Sequence, residues 1–154
     1  MNHGNNRACS LFILSSIALL FITGSAKIFS AFFDAKALHT LDPIFFFSLK
    51  RLFTLAGLLE ISIGIMCYIS KQRVFALLLI ASLSTALLIY RMGLWLVGWK
   101  LPCPCMGNIT QAIHISAVAS DLIMRVILTY LLIGSYLFLV IVLNSAGRDI
   151  AQKT

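Results

Sequence analysis

Four apolar runs, each long enough to cross a lipid bilayer, dominate the sequence: Leu11 to Phe33, Leu52 to Ile69, Val74 to Val97 and Leu122 to Leu143. A hydrocarbon core of about 30 Å needs roughly 20 residues of helix at about 1.5 Å per residue. Backbone groups in lipid must be satisfied within the segment, so such runs fold as helices and not as open strands. The expected fold is therefore an all-α integral membrane four-helix bundle forming a single domain over residues 1–154. Composition agrees: 60% of the 154 residues are hydrophobic, 11% are charged, and mean hydropathy is +1.00, far outside the range of soluble domains.

The first run is broken only by Lys27. Gly24, Ser25 and Ala26 resemble the end of a cleavable secretory signal, but apolar character resumes at Ile28, which favours a retained span. Residues Met1 to Ser10 read as a short tail in which Cys9 is an exposed thiol or a lipidation point. Asp42 before Pro43 reads as a helix cap, giving a short surface helix over about 43–51 whose Phe45, Phe46 and Phe47 enter the interface. Asn108 with Gln111 three residues on reads as a capping box, opening a second surface helix over about 108–120. Trp95 and Trp99 suit an aromatic belt, and Ala146 to Thr154 form a polar tail.

Twelve Lys and Arg against five Asp and Glu give a net charge of +7. The basic residues are dispersed at helix ends, so the anionic bilayer surface explains them better than nucleic acid does. Four spans put both termini on one side. Arg7, Lys71, Arg73, Arg148 and Lys153 then oppose Lys36, Lys50, Arg51 and Lys100, a small excess that favours cytoplasmic termini.

The charges within the spans all fall in the half nearest the two long connections. Lys27, Arg91, Asp121 and Arg125 stand near helix ends there, and Glu60 is roughly 13 Å below Arg51. A charge inside lipid costs a few kcal/mol unless paired, so Glu60 is expected to meet Arg91 or Lys27 in the bundle. Lys27 and Arg125 are near enough to the ends to snorkel to the interface.

The segment Leu101-Pro102-Cys103-Pro104-Cys105-Met106-Gly107 interrupts this helical pattern. Its prolines exclude regular helix, so both thiols lie on a constrained loop whose geometry is set by Pro102, Pro104 and Gly107. The α carbons of an extended Cys-Pro-Cys unit are about 6.5 to 7 Å apart, at the upper edge of disulfide geometry. Such a bridge is strained, hence an oxidant or an exchange partner and not a staple. Nearby positive charge at Arg91 and Lys100 favours the thiolate. The other two thiols, Cys9 and Cys67, are a bilayer away, and Cys67 reads as a small core residue. Three readings stay open: a redox pair with Cys103 attacked first, a soft-metal site for Cu(I) made by Cys103, Cys105 and Met106, and a purely structural loop. His39 and His114 lack ligand spacing with each other, which disfavours haem.

Lys27 late in the first span, Asp42-Pro43, Glu60-x-x-x-Gly64, Arg91-x-Gly93, Cys103-x-Cys105-x-Gly107 and Arg125 occur in that order. This order resembles the MauE family of methylamine utilisation proteins and the wider DoxX-like group of four-helix, redox-associated membrane proteins. Met106 stands where the family usually has an aromatic, and Pro104 where glycine is commoner. The resemblance implies a bacterial inner-membrane location; the cysteine loop is expected to be periplasmic because the termini lean cytoplasmic and a paired-thiol loop is most useful where disulfides persist. The resemblance also implies thiol–disulfide exchange with a periplasmic thioredoxin-fold partner acting on a disulfide-containing client. A quinone-linked thiol oxidase, with quinone bound near Glu60 and Arg91, is a further alternative.

Overall fold

A computed structural model describes residues 3–32, 42–44, 48–70, 72–98 and 117–151. Four helices account for nearly all of them: α1, His3–Phe32; α2, Leu49–Ile69; α3, Arg73–Leu96; and α4, Ala117–Ala151. Each is long and apolar enough to cross a membrane, so the described residues form an all-helical fold with four candidate spans, and no β-strand occurs among them.

The helices outrun the apolar stretches that announce them. α1 begins at His3, so His3 to Ser10 is helix where a tail is expected. Nothing there breaks the pattern, and Arg73 Nη1 donates to Asn6 Oδ1 at 2.7 Å, tying this first turn to the start of α3. Cys9 is accordingly buried against Leu77 and Phe12, not exposed. α4 likewise runs on to Ala151 and absorbs Ala117 to Ser120 from the expected surface helix; residues 108–116 lie outside the described residues. In the first connection Pro43 and Ile44 form a turn, Phe45, Phe46 and Phe47 lie outside the described residues, and Leu49 to Arg51 are the first turn of α2. Asp42 acts as a local acceptor, its Oδ1 taking the Ile44 N–H at 2.8 Å, which closes the turn at Pro43 and Ile44.

The buried residues recur every three to four positions along each helix, so each turns one face inward. On α2 these are Leu49, Phe53, Gly57, Glu60, Gly64 and Cys67; on α1 they include Phe12, Ser16, Leu20, Thr23, Lys27 and Ser30. Lipid is as apolar as leucine, so close packing and polar contacts hold helices together where the hydrophobic effect does not. The buried hydroxyls meet that demand locally: Ser16 donates to the Phe12 carbonyl at 2.8 Å and Ser135 to that of Leu132 at 3.0 Å.

Consecutive helices are antiparallel, and the closest packing is within the α1–α2 pair and within the α3–α4 pair. At the α1–α2 crossing a Cβ on Gly24 would come 2.9 Å from the Gly57 carbonyl oxygen, and one on Gly57 would come 2.8 Å from that of Gly24. Only residues without a side chain allow this approach. The two pairs join through a core of Ile17, Leu20, Cys67, Ala76, Ile80, Leu83 and Leu131. A second join is the Phe12 ring, which lies against Gly134 and between Tyr130 and Phe138 at centroid separations of 5.3 and 5.2 Å.

Candidate functional site

Three polar assemblies occupy the half of the bundle nearest the 33–48 and 99–116 connections. The deepest is on α1 and α2. Lys27 Nζ forms an ion pair with Glu60 Oε1, and Thr23 Oγ1 lies 3.0 Å from Glu60 Oε2. The side chains of Lys27 and Glu60 are only 5% and 2% exposed, so the pair is sealed inside protein. Lys27 does not snorkel. Its helix register turns it inward, and the glycine crossing brings the two backbones close enough for the head groups to meet: Gly57 faces the Cβ of Lys27, and Gly24 faces that of Glu60.

The second assembly joins α3 to α4. Arg91 Nη2 and Arg125 Nη2 each lie 2.6 Å from Asp121, the first on Oδ1 and the second on Oδ2. Asp121, expected simply as one of the charges opening the fourth helix, is thus a shared acceptor for two guanidinium groups. Glu60 and Arg91, named together as a candidate pair, take different partners. Arg125 is on the outside, with 67% of its side chain exposed.

The third was not evident from spacing. Asp42, fully buried in the first connection, accepts the Tyr90 hydroxyl on Oδ2, and Ile44 Cδ1 lies 2.9 Å from where a Cβ on Gly93 would be. One turn of the connection is therefore seated on the last turns of α3. Gly93 is marked in the sequence only by the Arg91-x-Gly93 pattern, and a lone tyrosine carries no periodic signal at all.

These contacts give the bundle two internal clamps, Lys27–Glu60 within α1–α2 and Arg91–Asp121 within α3–α4, and a bridge from the first connection to α3. Cys103, Cys105, Pro102, Pro104, Met106 and Gly107 lie outside the described residues, as do His39 and His114. No group of three or more His, Cys, Asp or Glu suited to a metal ion occurs among the described residues. Comparison with protein-family models, with curated proteins and with solved structures finds no match.

Proposed function

We propose that this chain is a membrane thiol–disulfide exchange component working through Cys103 and Cys105. The observation that carries this reading is the pair of thiols one residue apart between Pro102 and Gly107, in the segment that follows α3 and precedes α4. Those two helices bear the Arg91–Asp121 clamp near the ends that flank the segment in the chain. A clamp of that kind supports the reading, because exchange chemistry needs its thiols on a fixed scaffold.

In the exchange, the Cys103 thiolate attacks one sulfur of a partner's disulfide, forming a mixed disulfide and releasing the partner's other sulfur as a thiolate. Cys105, as thiolate, then attacks the Cys103 sulfur, closing the Cys103–Cys105 bridge and freeing the second partner thiolate. Two electrons pass from the pair to the partner; the reverse sequence returns them, and the strain of a Cys-Pro-Cys bridge keeps that return accessible. The partner is a thioredoxin-fold protein and the end user an extracytoplasmic client with disulfides to form or correct. The setting is the bacterial plasma membrane, with cytoplasmic termini and a periplasmic cysteine segment, where disulfides persist. The resemblance to MauE and DoxX-like proteins points the same way.

A Cys105→Ser variant, expressed in cells and quenched with acid, is expected to accumulate a mixed disulfide through Cys103 with a thioredoxin-fold protein. Absence of any such adduct, with both thiols reduced in wild-type membranes, overturns the proposal.

A further inference from the structure

Arg73 is held by a neutral partner. Its Nη1 donates to Asn6 Oδ1 at 2.7 Å across the α1–α3 contact, one turn beyond the buried Cys9 and Leu77. An amide oxygen orients a guanidinium without cancelling its charge. Arg73 is exposed, as is Arg7 next to Asn6, and among the described residues neither arginine forms an ion pair. The rest of the sequence at this end of the bundle does not redress the balance, since Arg7, Lys71, Arg73, Arg148 and Lys153 stand against Asp149 alone. A positive surplus therefore remains whichever of these residues meet.

Depth narrows what can answer that charge. Asn6 and Arg73 are the first residues of the Asn6–Phe32 and Arg73–Leu96 candidate spans, which sets the guanidinium at the level of lipid head groups. Below it Leu11 and Leu14 on α1 are 66% and 60% exposed, and Phe75 and Leu78 on α3 are 41% and 51% exposed. A soluble anion gains nothing from such an apolar wall, whereas a phospholipid gains from both the charge and the wall. Of the five N–H donors of Arg73, Asn6 takes one, and the remaining fork suits phosphate oxygens. Phosphate is common to all phospholipids, so the fork does not choose among them; the charge surplus does. A choline head group brings its own ammonium back against the arginines, and a glycerol head group leaves the phosphate charge unopposed.

We infer that Arg73, oriented by Asn6 and reinforced by Arg7, binds the phosphate of an anionic phospholipid whose acyl chains lie against the exposed apolar residues of α1 and α3. The site is at the opposite end of α3 from the segment bearing Cys103 and Cys105, and it is independent of the chemistry proposed there.

The full chain, purified in detergent and given equal amounts of phosphatidylglycerol and phosphatidylcholine, tests this by native mass spectrometry. Wild type is expected to retain phosphatidylglycerol in preference, and Arg73→Gln to lower that preference about fivefold, the scale of one basic residue beside an anionic surface. Asn6→Asp keeps the contact but supplies a counter-charge, and is expected to lower the preference as much. Asn6→Ala breaks the contact and spares the charge, and is expected to keep most of the preference. Arg51→Gln, which removes an exposed charge at the opposite surface, is expected to change nothing. Equal retention of both lipids by wild type, or an undiminished preference in Arg73→Gln, overturns the inference. A loss in Asn6→Ala without one in Asn6→Asp makes Arg73 a helix tie and overturns it too, and an equal fall in Arg51→Gln assigns the preference to charge at large. Displacement of the lipid by millimolar inorganic phosphate overturns the choice of lipid as the ligand.

Discussion

Lys27 and Glu60 face each other across the α1–α2 interface at unequal depths in their own helices, and this inequality makes the ion pair asymmetric. Lys27 is about 7.5 Å from the end of α1 at Phe32, whereas Glu60 is about 16 Å from the start of α2 at Leu49. A lysine left alone at that depth can extend its stem towards the interface. A glutamate left alone near mid-helix has no such route.

Removing Lys27 is therefore expected to cost more than removing Glu60. Lys27→Met strands a buried carboxylate, at about 3–5 kcal/mol by the usual cost of breaking a buried pair. Glu60→Met is expected to cost less, and the double variant to recover most of the stability because no charge is left unmatched. Unfolding of the purified chain by titrated denaturing detergent measures all three. Equal losses in the two single variants would contradict the asymmetry.

The glycine crossing that permits this pair should tolerate no methyl group. Gly57→Ala places a Cβ 2.8 Å from both the Gly24 carbonyl oxygen and Ile28 Cγ1, and the backbone contact has no rotamer with which to yield. The expected cost is about 1–3 kcal/mol from overpacking, together with a loosened Lys27–Glu60 contact. Gly64→Ala serves as the comparison, since its nearest neighbour is the Phe21 ring at 3.4 Å; it is expected to be close to neutral in the same unfolding assay.

Asp121 is predicted to be the most sensitive member of the α3–α4 cluster. Asp121→Asn leaves Arg91 and Arg125 adjacent with no counter-charge between them. Arg91→Gln, by contrast, leaves Asp121 paired with Arg125 one turn away on the same helix. Stability should fall in the order Asp121→Asn, then Arg91→Gln, then Arg125→Gln, whose side chain is already largely exposed. Thermal unfolding midpoints of the three variants check the order.

Much of this was legible in the sequence, for definable reasons. Apolar runs announce spans, because nothing else places twenty such residues in succession. They do not announce helix ends: His3 to Ser10 and Ala146 to Ala151 are helical without being apolar, since a helix past the membrane surface needs only the absence of a breaker. Glu60 was recognisable as a residue that must be paired. Its choice of Lys27 over Arg91 depends on which faces meet, a matter of three-dimensional register. A clue was available: Gly24 precedes Lys27 by three residues and Gly57 precedes Glu60 by three, the arrangement that sets each charge beside a close crossing. The Asp42–Tyr90 contact joins residues with no periodic relation at all, so no pattern within either element could have disclosed it.

That contact yields its own expectation. Tyr90→Phe withdraws one donor from a carboxylate with no solvent exposure, a loss of about 1–3 kcal/mol at the site. Because Asp42 Oδ1 also holds the Ile44 amide, the turn should loosen as a unit. Hydrogen exchange followed by mass spectrometry should show faster exchange in the peptide containing Ile44, with the interior of α2 unchanged. An unaltered rate at Ile44 would show that the tyrosine hydroxyl does not hold the turn.

The buried thiols provide the last test, which also makes the cysteine chemistry measurable. Cys9 is 0% exposed and Cys67 is 3% exposed, with the Cys67 sulfur 3.7 Å from the Ala76 carbonyl oxygen at the start of α3. A thiol reacts as an accessible thiolate, and neither residue offers a path for a polar alkylating reagent without separating α3 from α1 and α2. In native membranes a Cys103→Ser/Cys105→Ser variant is therefore expected to take up no membrane-impermeant maleimide, and two equivalents once dissolved in denaturing detergent. Labelling of the native double variant would mean that the Cys9 and Cys67 ends of the bundle open to water. Silence there assigns any native labelling of the wild type to Cys103 and Cys105, so the oxidation state of that pair can be read directly from the number of labels gained after reduction.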